Sequence, residues 1–561
     1  MAPKARLPKL ADFQQVVDDF LKNEYETSPV TATALGLTDY DERLDDMSAA
    51  AYEKRDSDAV EWLKRFESVD SATLSASDQI DRDLAIASLR GRTIGADWQV
   101  WKRDPTTYSG PILNGLFYLF LNRLRPTADL VDAAVARLEQ VPRALEQATA
   151  NLDPTLGAKL ILERGLGSAK AGGDYVRRML VEEGETDEQR DRLRTAGAVA
   201  GDAFDRFVAH LATLVDKATG TWVYGEERYS RQLREREALN FDARSLREMG
   251  QAEYDRLDAE MSALARDARG TSDWRAVLEE ANEDHAPTEE AMRRGYAEWT
   301  QKSHDFLAAT GLVTLPEGER CEVEPSPVFT RPLLAVASYS GPPAFSTSLT
   351  GHFFVPFAPD GTSADEIQKR LASNSNSGIP TTAVHEAYPG HHWHIMWSKT
   401  QAPKLRLVLG TPYFSEGWAL YAERVMRERG FFEDPLHVLN HLEATIFRAA
   451  RIVVDTSLHM GEMTYDEAVT FMTEKTALTE PTAKAEVGRY CSWPTQASSY
   501  LTGCLEILRI RRRYLDARGL SDVAPAEAPM DVIRDFHDKL CGSGRLPIGL
   551  AERAVMAGLA A

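Results

Sequence analysis

From about Leu10 to Lys217 apolar residues recur at i, i+3 and i+4, as in LVDAAVARLEQVPRALEQATANL and AGDAFDRFVAHLATLVDKA, with short Gly, Pro and Asp breaks between runs. That spacing gives each helix one apolar stripe, and such stripes must be buried against one another. The stretch reads as stacked helices. A further helical run covers about Ala243 to Leu312. The period then changes: CEVEPSP, PLLAVASY and GHFFVPF alternate or run short and apolar between turn residues, so one small sheet is expected between about Cys321 and Phe357. Helical patterning resumes near Ala364 and continues to the end, so the expected fold is mainly α. The glycine-rich GLGSAKAGGD at 165–174 follows no strand and lacks Gly-Lys-Ser/Thr, so it reads as a helix connection and not a phosphate loop.

A chain of 561 residues can bury a large core, and its formal charge of −21 disfavours nucleic acid or an anionic membrane as partner. The amino terminus, MAPKARLPKLADFQQVVDDF, has basic residues but no apolar run behind them. It is not a secretory signal, and nowhere do about 18 uninterrupted apolar residues suggest a membrane span, so a cytoplasmic location is expected. Cys321, Cys491, Cys504 and Cys541 show no Cys-x-x-Cys spacing and fit reduced, structural thiols.

Chemistry concentrates in AVHEAYPGHHWH, residues 383–394, which holds four of the 12 histidines. In His-Glu-x-x-His, two imidazoles four residues apart share one helix face and one zinc ion; here the position four after His385 is Pro389. On a regular helix His391 would lie about 240° round from His385, and His392 would be in phase but ~10 Å along the axis. Pro389 and Gly390 forbid a regular helix. If Tyr388–Gly390 bulges by two residues, His391 lands where the second ligand belongs and His394 becomes a pocket or supporting residue; His392 stays open as the alternative ligand. A polar helix end that simply collects histidines is the plain alternative. Downstream, YFSEGWALYAERV supplies Glu416 and Glu423 on one side of an otherwise apolar helix, where carboxylates are costly unless paired or coordinated.

The motifs HEAYPGHH, SEGWALYAE, RIVVDTSLH, RYCSWPTQASSYLTG and FHDKLCGSGRLPIGL together resemble the bacterial family known as domain of unknown function 885, and SPVTATALGLTDYDERLDD extends the likeness towards the start. That family is in turn similar to helical zinc peptidases of the thimet oligopeptidase and carboxypeptidase Taq type, in which a second helix carries a ligand glutamate. In those enzymes the glutamate follows at a slightly shorter interval; Glu416 lies 31 residues after His385, and the two-residue bulge accounts for the excess. The resemblance implies zinc held by His385, His391 and Glu416. It also implies a large multi-helical two-lobed body with a central cleft and one small sheet: an N-terminal helical lobe over 1–220 and a catalytic helical lobe over 221–561.

Two imidazoles and a carboxylate leave a position for water, and Glu386 beside the first ligand is the expected general base. For the oxyanion, Tyr500 and then Tyr490 carry over by position from those peptidases; a core tyrosine is the plain alternative for each. Arg451, Asp455 and His459 form one polar stripe at i, i+4 and i+8, which either faces the metal cleft or contains an Arg451–Asp455 ion pair. His437 and His441 stand at i and i+4 but lack an adjacent glutamate, and His537 resembles a family position of unassigned role. The expected function is a zinc-dependent hydrolase that cleaves short peptides through a zinc-bound water. Two alternatives stand beside it: a metal-dependent amidase or esterase acting on small non-peptide substrates, and a helical binding protein with a vestigial metal site.

Overall fold

The computed structural model describes residues 10–327, 331, 336–359, 361–557 and 559. The amino-terminal residues 1–9, on which the expectation about a leader segment bears, lie outside these. The chain is mainly helical with one three-stranded sheet. It divides into two compact units: one runs up to Tyr224 and includes Pro343–Ser348, the other comprises Gly225–Pro342 and everything from Leu349 onward. The return of a short segment at 343–348 to the first unit has no counterpart in the sequence pattern.

The first unit is built from long amphipathic helices, among them Ala49–Glu67, Ala76–Ala96, Thr127–Asn151 and Asp187–Val215. Phe20 and Phe66 meet edge to face at 5.4 Å in its core. The glycine-rich 165–174 stretch is not a connection but the body of the Lys159–Asp174 helix. A Cβ on Gly172 would lie 2.9 Å from the Phe204 ring, so the small residues there serve close helix packing.

In the second unit the sheet has the order β1 (Arg320–Pro325), β3 (Thr350–Val355), β2 (Ser338–Ser340), with β1 parallel and β2 antiparallel to β3. These strands lie where the period changes. Of the expected PLLAVASY strand, residues 332–335 lie outside the described residues, and the strand occupies Ser338–Ser340. Among the described residues no helix is long and apolar enough to cross a membrane.

Two helices of this unit, Pro412–Glu428 and Ser499–Ala517, touch backbone to backbone. A Cβ on Gly417 would lie 2.6 Å from the Cα of Gly503, and one on Gly503 would lie only 1.9 Å from the carbonyl oxygen of Tyr413. Both positions therefore require glycine, and the contact draws the helix carrying Tyr500 against the helix carrying Glu416. Gly503→Ala is expected to lower stability by about 1–3 kcal/mol even though alanine is the better helix former by ~1 kcal/mol. A thermal melt checks this; an unchanged or raised midpoint would show that the helices do not approach this closely.

Candidate metal centre

Pro389 has no N–H to donate to the preceding turn, and it disfavours helical dihedrals at Tyr388. The Ile379–Glu386 helix accordingly ends with the bond from Ala387 N–H to the Ala383 carbonyl (2.9 Å), and a new helix, His391–Gln401, begins four residues later. The break is thus a stop and restart, not the bulge within one helix expected from the sequence. Two bonds span it: Gly390 N–H to the Val384 carbonyl (3.1 Å) and Trp393 N–H to the Ala387 carbonyl (3.2 Å). Each reaches six residues back in place of four, so two residues are taken out of register. Gly390 lies so close to the old helix that a Cβ there would stand 1.9 Å from the His385 carbonyl oxygen. The indole N–H of Trp418 fixes the break from outside by donating to the Pro389 carbonyl at 2.8 Å.

The register shift brings the rings of His385 and His391 to 4.9 Å, nearly perpendicular to each other. Oε2 of Glu416 lies 3.7 Å from Nε2 of His385 and 3.4 Å from Nε2 of His391, and one donor atom from each of the three lies within 4.8 Å of the others. Two ligands at about 2.1 Å from one tetrahedral ion stand about 3.4 Å apart, so the donor set fits a zinc-sized cation. Behind His385, Nδ1 donates to Oε1 of Glu423 at 2.7 Å, which turns Nε2 towards Glu416. The other oxygen of Glu423 accepts from Nδ1 of His441 at 3.1 Å. A carboxylate behind a ligand histidine fixes ring orientation and tautomer.

Burial works against the charge of Glu423, but the hydrogen bonds from His385 and His441 overcome it and hold the carboxyl at about 2. Glu416 is likewise held well below the usual carboxylate range, burial being outweighed by His391 and His385. Glu386 moves the other way: burial first, then the neighbouring Glu416, raises its pKa against the pull of His385, His391 and Arg448. A half-buried carboxyl with a raised pKa beside His385 and His391 suits proton transfer.

The remaining histidines are committed elsewhere. His392 places Nε2 at 2.5 Å from Glu319 and Nδ1 at 2.9 Å from the Tyr339 hydroxyl, so its ring serves this buried network and not the His385–Glu416 pair. His394 is fully buried beside His391, with Nδ1 at 3.2 Å from the Gly390 carbonyl. His437 packs edge-on against Trp299 while His441 supports Glu423, so these two do not share an ion. His537 lies in the core between the Tyr421 hydroxyl and the Leu312 carbonyl.

Tyr490 and His459 are buried and hydrogen-bonded within the unit. The Tyr490 hydroxyl donates to Glu486 (2.8 Å) and accepts from Arg451 (3.0 Å), and Nε2 of His459 faces the Tyr490 carbonyl at 3.0 Å. Arg451 pairs with Glu486 at 2.8 Å, not with Asp455, which accepts from the Tyr229 hydroxyl at 2.6 Å. Tyr500 differs from Tyr490. Its hydroxyl accepts a long bond from Gln496 (3.3 Å), which leaves its O–H as a donor, and its ring lies under Arg448, the cation that bears on Glu386.

Two features had no role in the sequence reading. The Glu423–His441 pair joins a carboxylate and a histidine that each show in the sequence, but nothing along the chain says that they meet. Glu322, Glu324 and His352 also bring donor atoms within 4.8 Å of one another across β1 and β3. That set is more open to solvent.

The fold and this centre define a mainly helical protein with a partly buried two-histidine, one-glutamate donor set at a helix break. The chain belongs to the family described as bacterial protein of unknown function, DUF885, whose model matches residues 29–555. Among solved structures it is similar to a candidate lipoprotein of unknown function from Shewanella oneidensis, at 19% identity and a TM-score of 0.78 over 96% of this chain and 98% of that one. A candidate lipoprotein from Colwellia psychrerythraea is similar at 20% identity and a TM-score of 0.81, over 98% and 99% of the two chains. At these identities the likeness establishes the fold alone. No protein with a curated description matches.

If His385, His391 and Glu416 hold zinc, replacing Glu423 with alanine should weaken that binding about 10–100-fold by releasing His385 from its orientation. Competition with a chelator measures this. An affinity equal to that of the parent would mean that Glu423 does not hold the ligand ring.

Proposed function

We propose that the protein is a zinc-dependent hydrolase, most simply a peptidase of short peptides, with His385, His391 and Glu416 as the metal ligands. The observation that carries this reading is the convergence of those three donors, with Glu386 adjoining the first and Glu423 behind it. The resemblance of HEAYPGHH and SEGWALYAE to the helical zinc peptidases supports it. Zinc bound there would polarise a substrate carbonyl and lower the pKa of water towards ~7. Glu386 takes the proton from the attacking water, burial raising its affinity enough to accept and hold it, and gives it up to the more basic leaving amine. The Tyr500 hydroxyl donates to the carbonyl oxygen as negative charge develops there.

The working place of such an enzyme belongs to the same proposal. The lipoprotein names of the two similar structures favour a membrane-tethered form, against the cytoplasmic location expected above. Cell fractionation separates these.

Glu386→Gln should keep stoichiometric zinc yet lose about 10²–10⁴-fold in rate on a mixed peptide library. A variant as active as the parent would remove the base from the mechanism, and a parent that takes up no zinc would remove the reading itself. Tyr500→Phe should lower kcat about 10²–10³-fold with KM and zinc content little changed. Parental kcat in a folded, metal-loaded Tyr500→Phe protein would take the oxyanion role from Tyr500.

A further inference from the structure

The two histidines of the centre are held in different ways. His385 has Glu423 behind its ring, whereas among the described residues the ring of His391 shares no hydrogen bond or ion pair except with Glu416. The direction of a helical side chain follows its backbone, so His391 depends on where and how the new helix starts.

That start is tied down by a carboxylate from outside both ligand helices. Glu319 immediately precedes β1, and its side chain is 4% exposed. Its Oε2 accepts from the Tyr388 hydroxyl at 2.6 Å and lies 2.5 Å from Nε2 of His392. One oxygen thus joins the residue before Pro389 to the second residue of the new helix. Nε2 of His304, on the Glu289–Thr310 helix, stands 3.6 Å from the other oxygen. Burial works against the charge of Glu319, but the bond from His392 and the Tyr388 hydroxyl outweigh it and hold the carboxyl below its usual range. Nε2 of His392 therefore donates, and its Nδ1 accepts from the Tyr339 hydroxyl of β2 at 2.9 Å. The stretch before β1 takes one more bond from the new helix, where the Trp393 indole N–H donates to the Thr314 carbonyl at 2.9 Å. A buried carboxylate is costly, and among the described residues this one meets no arginine or lysine. Its partners are the two sides of the break.

We propose that Glu319 is the positioning residue for His391: by tying Tyr388 to His392 across the break it fixes the restart of the helix, and with it the direction of the second ligand. The proposal rests on the ligand set of the hydrolase reading and adds the group that keeps that set in register. Glu319 touches neither ion nor substrate. It acts on the backbone that carries His391, where Glu423 acts on the ring of His385. Without it, Tyr388 and His392 lose their common anchor, and Nε2 of His391 is free to turn away from Glu416.

The test measures the zinc affinity of the full chain by competition with a chelator, so it needs no turnover. Glu319→Ala should lower affinity about 10–100-fold, the range for groups that support metal ligands. Tyr388→Phe removes one of the two bonds and keeps the ring, so it should lower affinity about 3–10-fold. A general loosening of the fold would weaken zinc equally in every background, whereas action through His391 would not. In His391→Ala protein, titrated with zinc directly, adding Glu319→Ala should change affinity less than about twofold, while in Glu423→Ala protein it should exert its full effect. Equal losses in the two backgrounds overturn the proposal. So does parental affinity in folded Glu319→Ala and Tyr388→Phe proteins. Where Glu319→Ala does not melt cooperatively, Tyr388→Phe in the same two backgrounds decides. A parent that binds zinc but cleaves nothing removes the hydrolase reading and leaves the Glu319 result standing; a parent that takes up no zinc removes both.

Discussion

Proline has no amide proton, and at position 389 that absence organises the centre. The helix carrying His385 and Glu386 cannot extend past the point where Pro389 would have to donate, so the chain restarts at His391 after hydrogen bonds that reach back six residues. Gly390 permits the close passage, and the Trp418 indole anchors the Pro389 carbonyl. Trp418 lies two residues from Glu416, so the element that supplies the carboxylate also clamps the turn that supplies the second histidine.

Around this turn the protein concentrates charge in a region largely shielded from solvent. A buried carboxylate is costly when alone and stable when several donors converge on it, and Glu423 is the case in point. Its two oxygens take one histidine each, so it stays ionised and can hold His385 in a single tautomer. Glu386 has no such pair of donors, and burial dominates it. Two glutamates a few ångströms from the same histidine thus differ in proton affinity because their hydrogen-bond partners differ, and that difference separates a positioning role from a proton-carrying one.

The supporting networks explain why residues of similar type in the same motifs have different surroundings. His392 adjoins His391 in sequence but points to Glu319 and Tyr339, because consecutive residues on a helix face directions about 100° apart. Tyr490 and Tyr500 both come from the RYCSWPTQASSYLTG segment, yet one is locked between Arg451 and Glu486 while the other keeps a hydroxyl proton to offer.

Helical periodicity, the change of period near Cys321 and the four clustered histidines were legible along the chain, because each is a pattern of near neighbours and local physics decides it. The same holds for the broken motif: Pro389 and Gly390 demand an irregular turn whatever surrounds them. The form of that turn was not legible, since a bulge and a restarted helix satisfy the same local rules; in the fold the Trp418 indole binds the Pro389 carbonyl of the restarted form. Nor were the partners of His392, Tyr490 and Arg451, or the meeting of Glu423 with His441, since each joins residues from different helices or from a helix and the sheet region. The chain by itself determined which donors exist and that a helix must stop at Pro389. Only the tertiary structure decided which donors face one another, because long-range packing sets side-chain direction and burial, and those set charge.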